Sequence, residues 1–130
     1  MTKPILLDTN ALLWILEGAP QLSKRVRTAV TSSETPIHVS VVSAWEIVIK
    51  FQAGKLSLDV PIERLLSEIL SGTTWPVLNI LPAHIMELLD LPPIHRDPFD
   101  RLLVAQARAE GMTLATADKH IHEYEVSTIW

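Results

Sequence analysis

The sequence predicts an α/β fold, a three-layer α/β/α sandwich around a mostly parallel sheet, and three observations carry that reading. Short apolar segments of strand character alternate with helix-patterned segments along the whole length, the pattern of parallel strands joined by crossover helices. The first strand is continuously apolar, as in a sheet covered on both faces. Hydrophobic residues fill 48% of the 130 positions, enough for a chain of this size to bury about two-thirds of its unfolded surface. At 14.5 kDa, one domain spanning residues 1–130 is expected.

Pro4 to Asp8 reads as a buried strand that ends in a carboxylate at the sheet edge. A helix follows, with Thr9 or Asn10 as its cap, Leu12, Leu13 and Leu16 at helical spacing, and Gly18 with Pro20 as its stop. Residues 22–32 form a second helix, with Leu22, Val26, Ala29 and Val30 inside and Lys24, Arg25 and Arg27 in water. Ile37-His38-Val39 is β-rich, and Ser43 then opens a helix through about Phe51, terminated by Gly54. Residues 61–71 begin with proline, carry Leu65, Leu66, Ile69 and Leu70 on one side, and end at Gly72, which suits another helix.

Val77 to Leu81 is a candidate strand, Ala83 to Leu89 a short helix, and Pro92-Pro93 a break. Asp97-Pro98 starts the best-marked helix, running to Glu110 before Gly111, because a cap residue precedes proline at the first helical position. Thr113-Leu114-Ala115 supplies a strand leading to Thr116-Ala117-Asp118, and Val126 to Trp130 a last one. Repeats, low-complexity tracts and linkers are absent from the sequence.

Composition narrows the function. With no cysteine, disulfides, thiolate zinc sites and thiol nucleophiles are excluded, and a reducing compartment fits. The longest apolar run is six residues, Ala11 to Leu16, far short of the roughly 20 a membrane-spanning helix needs. Asp8 interrupts the apolar stretch behind Lys3, so no secretory signal is expected and the cytoplasm is the expected location. Fifteen Asp and Glu against eleven Lys and Arg give a net charge of −4, which argues against nucleic-acid binding by bulk charge.

The acidic residues are patterned. Asp8, Glu46 and Asp118 each fall just after a strand or in the first turn of the helix behind one, the edge at which open parallel sheets bind ligands. Asp100, in the first turn of the Asp97 helix, is expected to aim at the same point. Each has a local alternative. Ser43 to Glu46 matches a capping box, and Glu46 with Lys50 is an (i, i+4) pair. Asp97 and Asp100 suit a helix N-terminus, and Asp118 could cap the final turn. Asp8 is hardest to dismiss, because a carboxylate ending an apolar central strand is desolvated and needs a partner.

Four anions in one pocket are tolerable only with raised pKa values or a bound cation. All-oxygen ligation suits Mg²⁺ or Mn²⁺ rather than zinc, and such ions drive phosphodiester hydrolysis by activating water. Setting the four aside leaves eleven acidic against eleven basic residues, which weakens the charge objection. Lys50, Arg96, Arg101 and Lys119 are near these acids in sequence and could hold a phosphate backbone.

Other signals are poorer. His120-Ile121-His122 is read as exposed loop histidines, and His38 and His84 as packing or surface residues. The four isolated glycines build no phosphate-binding loop, and no Gly-x-Ser-x-Gly elbow is present. Trp14, Trp45, Trp75 and Trp130 are flanked by aliphatic residues as core or interface indoles are. A mean hydropathy of +0.24 leaves apolar surface for another subunit.

Leu6-Leu7-Asp8-Thr9-Asn10, the stretch from Ser40 to Glu46, Asp97-Pro98-Phe99-Asp100-Arg101-Leu102-Leu103-Val104-Ala105-Gln106-Ala107 and Thr116-Ala117-Asp118, in that order, resemble the motifs of PIN-domain ribonucleases. The likeness spans nearly the whole chain and is nearest to VapC-type toxins of bacterial toxin–antitoxin pairs. It implies an α/β/α fold and a Mg²⁺- or Mn²⁺-dependent endoribonuclease, usually a homodimer, held inactive by a cognate VapB-like antitoxin. By the same resemblance Asp8 matches the first metal ligand, and Glu46, Asp100 and Asp118 match the second, third and fourth acids. Thr9, Asn10 and Thr116 match polar supporting positions. Ile121 departs mildly from the pattern, three residues after the fourth acid.

Two other readings stay open. An aspartyl-phosphate phosphatase would use Asp8 as nucleophile, but it usually has Asp or Thr two residues on, where this chain has Asn10. A non-catalytic module would keep the acidic pocket and act through RNA or partner binding alone.

Overall fold

A computed structural model describes residues 3–130, so residues 1 and 2 of the expected domain lie outside the described residues. Five parallel strands form one sheet in the order β3-β2-β1-β4-β5. β1 (Ile5–Leu7) is central, flanked by β2 (Ile37–Ser40) and β4 (Thr113–Ala115), with β3 (Val77–Leu78) and β5 (Thr128–Ile129) outside. Leu6 is in register with His38 on one side and Leu114 on the other.

The pleat explains why β1 is apolar at every position. Ile5 and Leu7 enter one core and Leu6 the other, all nearly inaccessible. The first core is closed by α1 (Thr9–Glu17), α2 (Lys24–Thr31) and α4 (Ile62–Leu70), through Leu12, Val26, Leu65 and Ile69. The second is closed mainly by α6 (Pro98–Glu110), whose Leu102, Leu103 and Val104 are buried, with Leu88 from α5 (Pro82–Leu88). α3 (Val41–Gln52) contributes Ile47 to the first core and Val42 to the second. Trp14 and Trp130 pack against each other at 5.6 Å and, with Trp75, against the first core, while Trp45 is half exposed and meets Phe99 edge-on.

The expected elements are present, with differences at their ends. Asp8 itself caps α1, accepting the Ala11 N–H at 2.7 Å, in place of Thr9 or Asn10. α3 starts at Val41 under a Ser40 cap, so Ser43 is inside the helix and forms no capping box with Glu46. That correction has a local cause. Ser40 ends β2 in extended conformation with its hydroxyl free to accept the Val42 N–H at 3.0 Å, three residues earlier than the Ser43 pattern implies. β3 and β5 keep only two residues each of the expected 77–81 and 126–130, as edge strands bonded on one side. The Asp97 cap, Pro98 start and Gly111 end of α6 agree with expectation, Gly111 taking the left-handed φ of 67° that favours glycine.

Connections run outward from β1 to β2 and β3, then cross back to β4 on its other side. The chain therefore reverses its winding at β1, and the crevice at the carboxyl ends of β1, β2 and β4 is where such sheets bind ligands. Asp8 follows β1, Ser40 and α3 follow β2, and Thr116 to Asp118 follow β4.

A buried polar chain braces this edge from beneath. Ser40 Oγ donates to Gln106 Oε1 at 2.6 Å, and Gln106 Nε2 reaches the Asn79 carbonyl and His84 Nδ1, both at 3.3 Å. His84, fully buried on α5, accepts the Leu81 N–H at Nδ1 and is bonded to Glu110 through Nε2 at 2.8 Å. Ser40→Ala removes a helix cap and leaves the buried Gln106 oxygen without its donor, and it should cost about 2–3 kcal/mol. Urea denaturation checks this, and a loss under about 0.5 kcal/mol would contradict the role given to Ser40.

Candidate active site

Asp8 leaves β1 extended, with φ −75° and ψ 172°, and only 5% of it is exposed. Burial pushes its pKa up to about 6, with Glu46 and Asp118 repelling its charge and the Ala11 N–H and Thr116 hydroxyl easing it. The next residue points the site inward. Thr9 is buried, its Oγ1 lying 2.5 Å from Glu46 Oε1 and 3.0 Å from Ser43 Oγ. Thr9 thus ties α1 to α3.

Glu46 is buried one and a half turns into α3, and its other oxygen is paired with Lys50 Nζ on the next turn. The expected (i, i+4) pair is therefore real, and it coexists with the inward position. Burial disfavours the Lys50 charge, but the Glu46 hydrogen bond and charge, joined by Asp97 and Asp100, outweigh it and hold the ammonium above its ordinary range.

Asp100 lies in the first turn of α6, behind the Asp97 cap that accepts the Phe99 N–H at 2.8 Å. Burial, then repulsion from Asp97 and Glu46, push its pKa up to about 7, and His95 partly opposes them. Asp118 differs. Burial raises it, but the His120 N–H and His95 outweigh that and hold its carboxyl below the usual range. Thr116, fully buried, accepts the Asp118 N–H at 3.1 Å and so shapes the turn after β4.

His95 is the residue that the sequence reading missed. Its Nε2 is 2.8 Å from Asp118 Oδ2 and 3.2 Å from Asp100 Oδ2. Among the described residues, His95, Asp100 and Asp118 are the one set of three or more such side chains whose ligand atoms all lie within 4.8 Å of one another. Asp8 and Glu46 stand outside that tight set, yet close enough to repel Asp100. The four acids thus share one electrostatic neighbourhood, with Asp8 locally engaged as a cap and Glu46 with Lys50 and Thr9. Ser43, buried against Thr9, was expected only as a cap.

The supporting and basic residues divide. Asn10 is exposed and takes no part in these hydrogen bonds. Lys50 and Arg96, with Lys55, line a groove of about 330 Å³ together with Ile49, Asp97, Pro98 and Phe99. Arg101 instead donates Nη1 to the Pro92 carbonyl at 2.8 Å and to Tyr124 Oη at 3.2 Å, anchoring the turn before α6. Lys119, His120 and His122 are exposed.

The donor set fits a hard divalent cation. Its four acids offer carboxylate oxygen, and burial first, then repulsion between like charges, drives Asp8 and Asp100 toward protonation, which a bound cation would oppose.

A pH dependence follows. The folded pKa values of Asp8 and Asp100, about 6 and about 7, lie above the ordinary 3.8, so the folded chain holds more protons than the unfolded one between about pH 4 and 7. Stability from these groups is complete below that window and is lost as pH rises through it. Asp118, lowered, acts oppositely, contributing stability above its ordinary range that acidification removes. In metal-free buffer, thermal unfolding should show stability falling from pH 5 to pH 8, by on the order of 1–3 kcal/mol, and Asp100→Asn should flatten the slope. Stability rising over that range would contradict the assignment.

A model of the PIN domain family matches residues 5–126. Comparison with curated proteins finds no match. Among solved structures, FitAcB from Neisseria gonorrhoeae is similar with a TM-score of 0.69 at 19% identity, over 97% of this chain and 96% of that one. VapBC2 from Rickettsia felis, bound to a promoter DNA fragment, gives 0.69 at 15% identity, over 97% and 98%. A toxin–antitoxin complex from Klebsiella pneumoniae gives 0.63 at 16%, over 97% and 96%. At such identities these structures speak for the fold. The family model leaves out only residues 1–4 and 127–130, and the protein belongs to the PIN-domain family.

Proposed function

We propose that this PIN domain is a Mg²⁺- or Mn²⁺-dependent endoribonuclease that works in the cytoplasm as the toxin of a toxin–antitoxin pair. The observation that carries the reading is the gathering of carboxylates at the carboxyl edge of the sheet, where burial first and repulsion second push Asp8 up to about 6 and Asp100 up to about 7. Family membership supports nuclease chemistry, and the toxin–antitoxin complexes among the similar structures support an antitoxin partner.

Asp8 and Asp100 would hold the cation, with Glu46 and Asp118 completing its surroundings or orienting a water. When bound, the ion supplies an activated water and neutralises charge growing on the phosphoryl oxygens. Thr9 keeps Glu46 turned inward. Thr116 keeps the Asp118 turn in position. Lys50, Lys55 and Arg96 give the groove beside the acids a positive rim for the RNA phosphates. Phe99 and Trp45 add an aromatic pair there, suited to an unpaired base.

Protein freed of contaminating nuclease should cut single-stranded RNA with Mg²⁺ and stop on chelation. Asp8→Asn retains the cap for α1 and should lower cutting on the order of a hundredfold or more. Equal cutting by that variant would overturn the assignment, and growth arrest that persists in it would favour the non-catalytic module. The exposed apolar residues Leu81, Ile85, Met86 and Leu89 support a homodimer. Sedimentation should accordingly find twice the chain mass, and a monomer at micromolar concentration would remove that part.

A further inference from the structure

His95 lies in the segment between α5 and α6 and is held at two points. Its backbone N–H donates to Tyr124 Oη at 2.8 Å, and its ring Nδ1 accepts the Asp97 N–H at 3.0 Å. A neutral imidazole carries one ring proton, and a nitrogen that accepts a hydrogen bond does not carry it. The proton is therefore on Nε2, the atom that faces Asp118 Oδ2 at 2.8 Å and Asp100 Oδ2 at 3.2 Å.

That tautomer decides what His95 can do beside a cation. To ligate through Nε2, the ring would have to move its proton to Nδ1, where it would confront the Asp97 N–H donor to donor. Ligation thus costs a backbone hydrogen bond at the start of α6. A second divalent ion bridging Asp100 and Asp118 would need both carboxylates within about 2.0–2.2 Å of it. Nε2–H stands between those same two oxygens.

We propose that His95 is a positioning residue that stands in for a second ion: its Nε2–H clamps Asp118 to Asp100, so that the site takes a single divalent cation. The inference rests on the metal-dependent reading above and goes beyond it by fixing the number of ions and by excluding His95 from the ligand set. Asp118 then acts through its remaining oxygen, which accepts the His120 N–H at 2.9 Å.

The test counts Mn²⁺ per chain by electron paramagnetic resonance in the full-length protein. The unsubstituted protein should bind one ion. His95→Gln, whose amide can still donate, should also bind one. His95→Ala should bind two, with the first ion's affinity changed by less than about threefold. Two ions in the unsubstituted protein, or one in His95→Ala, would overturn the clamp. A loss of affinity of about tenfold or more in both variants would make His95 a ligand instead. No binding by the unsubstituted protein would remove the metal-dependent reading itself, and the clamp with it. A second measurement needs no variant. Two-bond ¹H–¹⁵N spectra of the Mg²⁺-saturated protein should show the His95 ring protonated at Nε2, and protonation at Nδ1 alone would overturn the proposal.

Discussion

Like charges forced together at one edge of a parallel sheet are the constraint to which the rest of this structure responds. The sheet changes winding direction at β1, so the chain segments leaving β1, β2 and β4 open into one crevice. Asp8, Glu46, Asp100 and Asp118 arrive there from four separate stretches of sequence. Burial disfavours the charge of Asp8 and Asp100 and repulsion adds to it, and the neighbouring elements answer one carboxylate at a time.

Those answers use different physics. Asp8 receives the first turn of α1, and the Asp97 cap orders the first turn of α6 just before Asp100. Glu46 receives an ammonium one turn along its own helix and a threonine from α1. Asp118 receives His95 and a backbone N–H of its own loop. Asp100 shares His95 with Asp118, which only partly offsets its burial and the charges of Asp97 and Glu46, and its pKa rises to about 7. Asp8 and Asp100 are the two acids left with raised pKa values, so their charged forms are the ones a nearby cation would favour most.

Local grammar made much of this legible beforehand. α6 declared itself through Asp97, Pro98 and Gly111, and β1 through an unbroken apolar run that only a doubly covered sheet can bury. The strand-end acid Asp8 stood out because a carboxylate desolvated at that point needs a partner, and the Ala11 N–H is one. Two features were less readable. Ser43 with Glu46 satisfies a capping pattern, yet the turn out of β2 comes three residues sooner and hands the cap to Ser40. Spacing alone cannot tell which of two serines meets the strand end. His95 lies in a proline-flanked segment with no periodicity, and its role emerges only when β4 brings Asp118 across from 23 residues away. Its one sequence signal was proximity to the Asp97 helix start.

The central claim is that these carboxylates are kept together to hold one cation. Anomalous scattering from crystals grown with Mn²⁺ tests it most directly. The account predicts a single peak within about 2.5 Å of carboxylate oxygens of both Asp8 and Asp100. A map without a peak there, with each carboxylate still engaged only in its own local bonds, would contradict it.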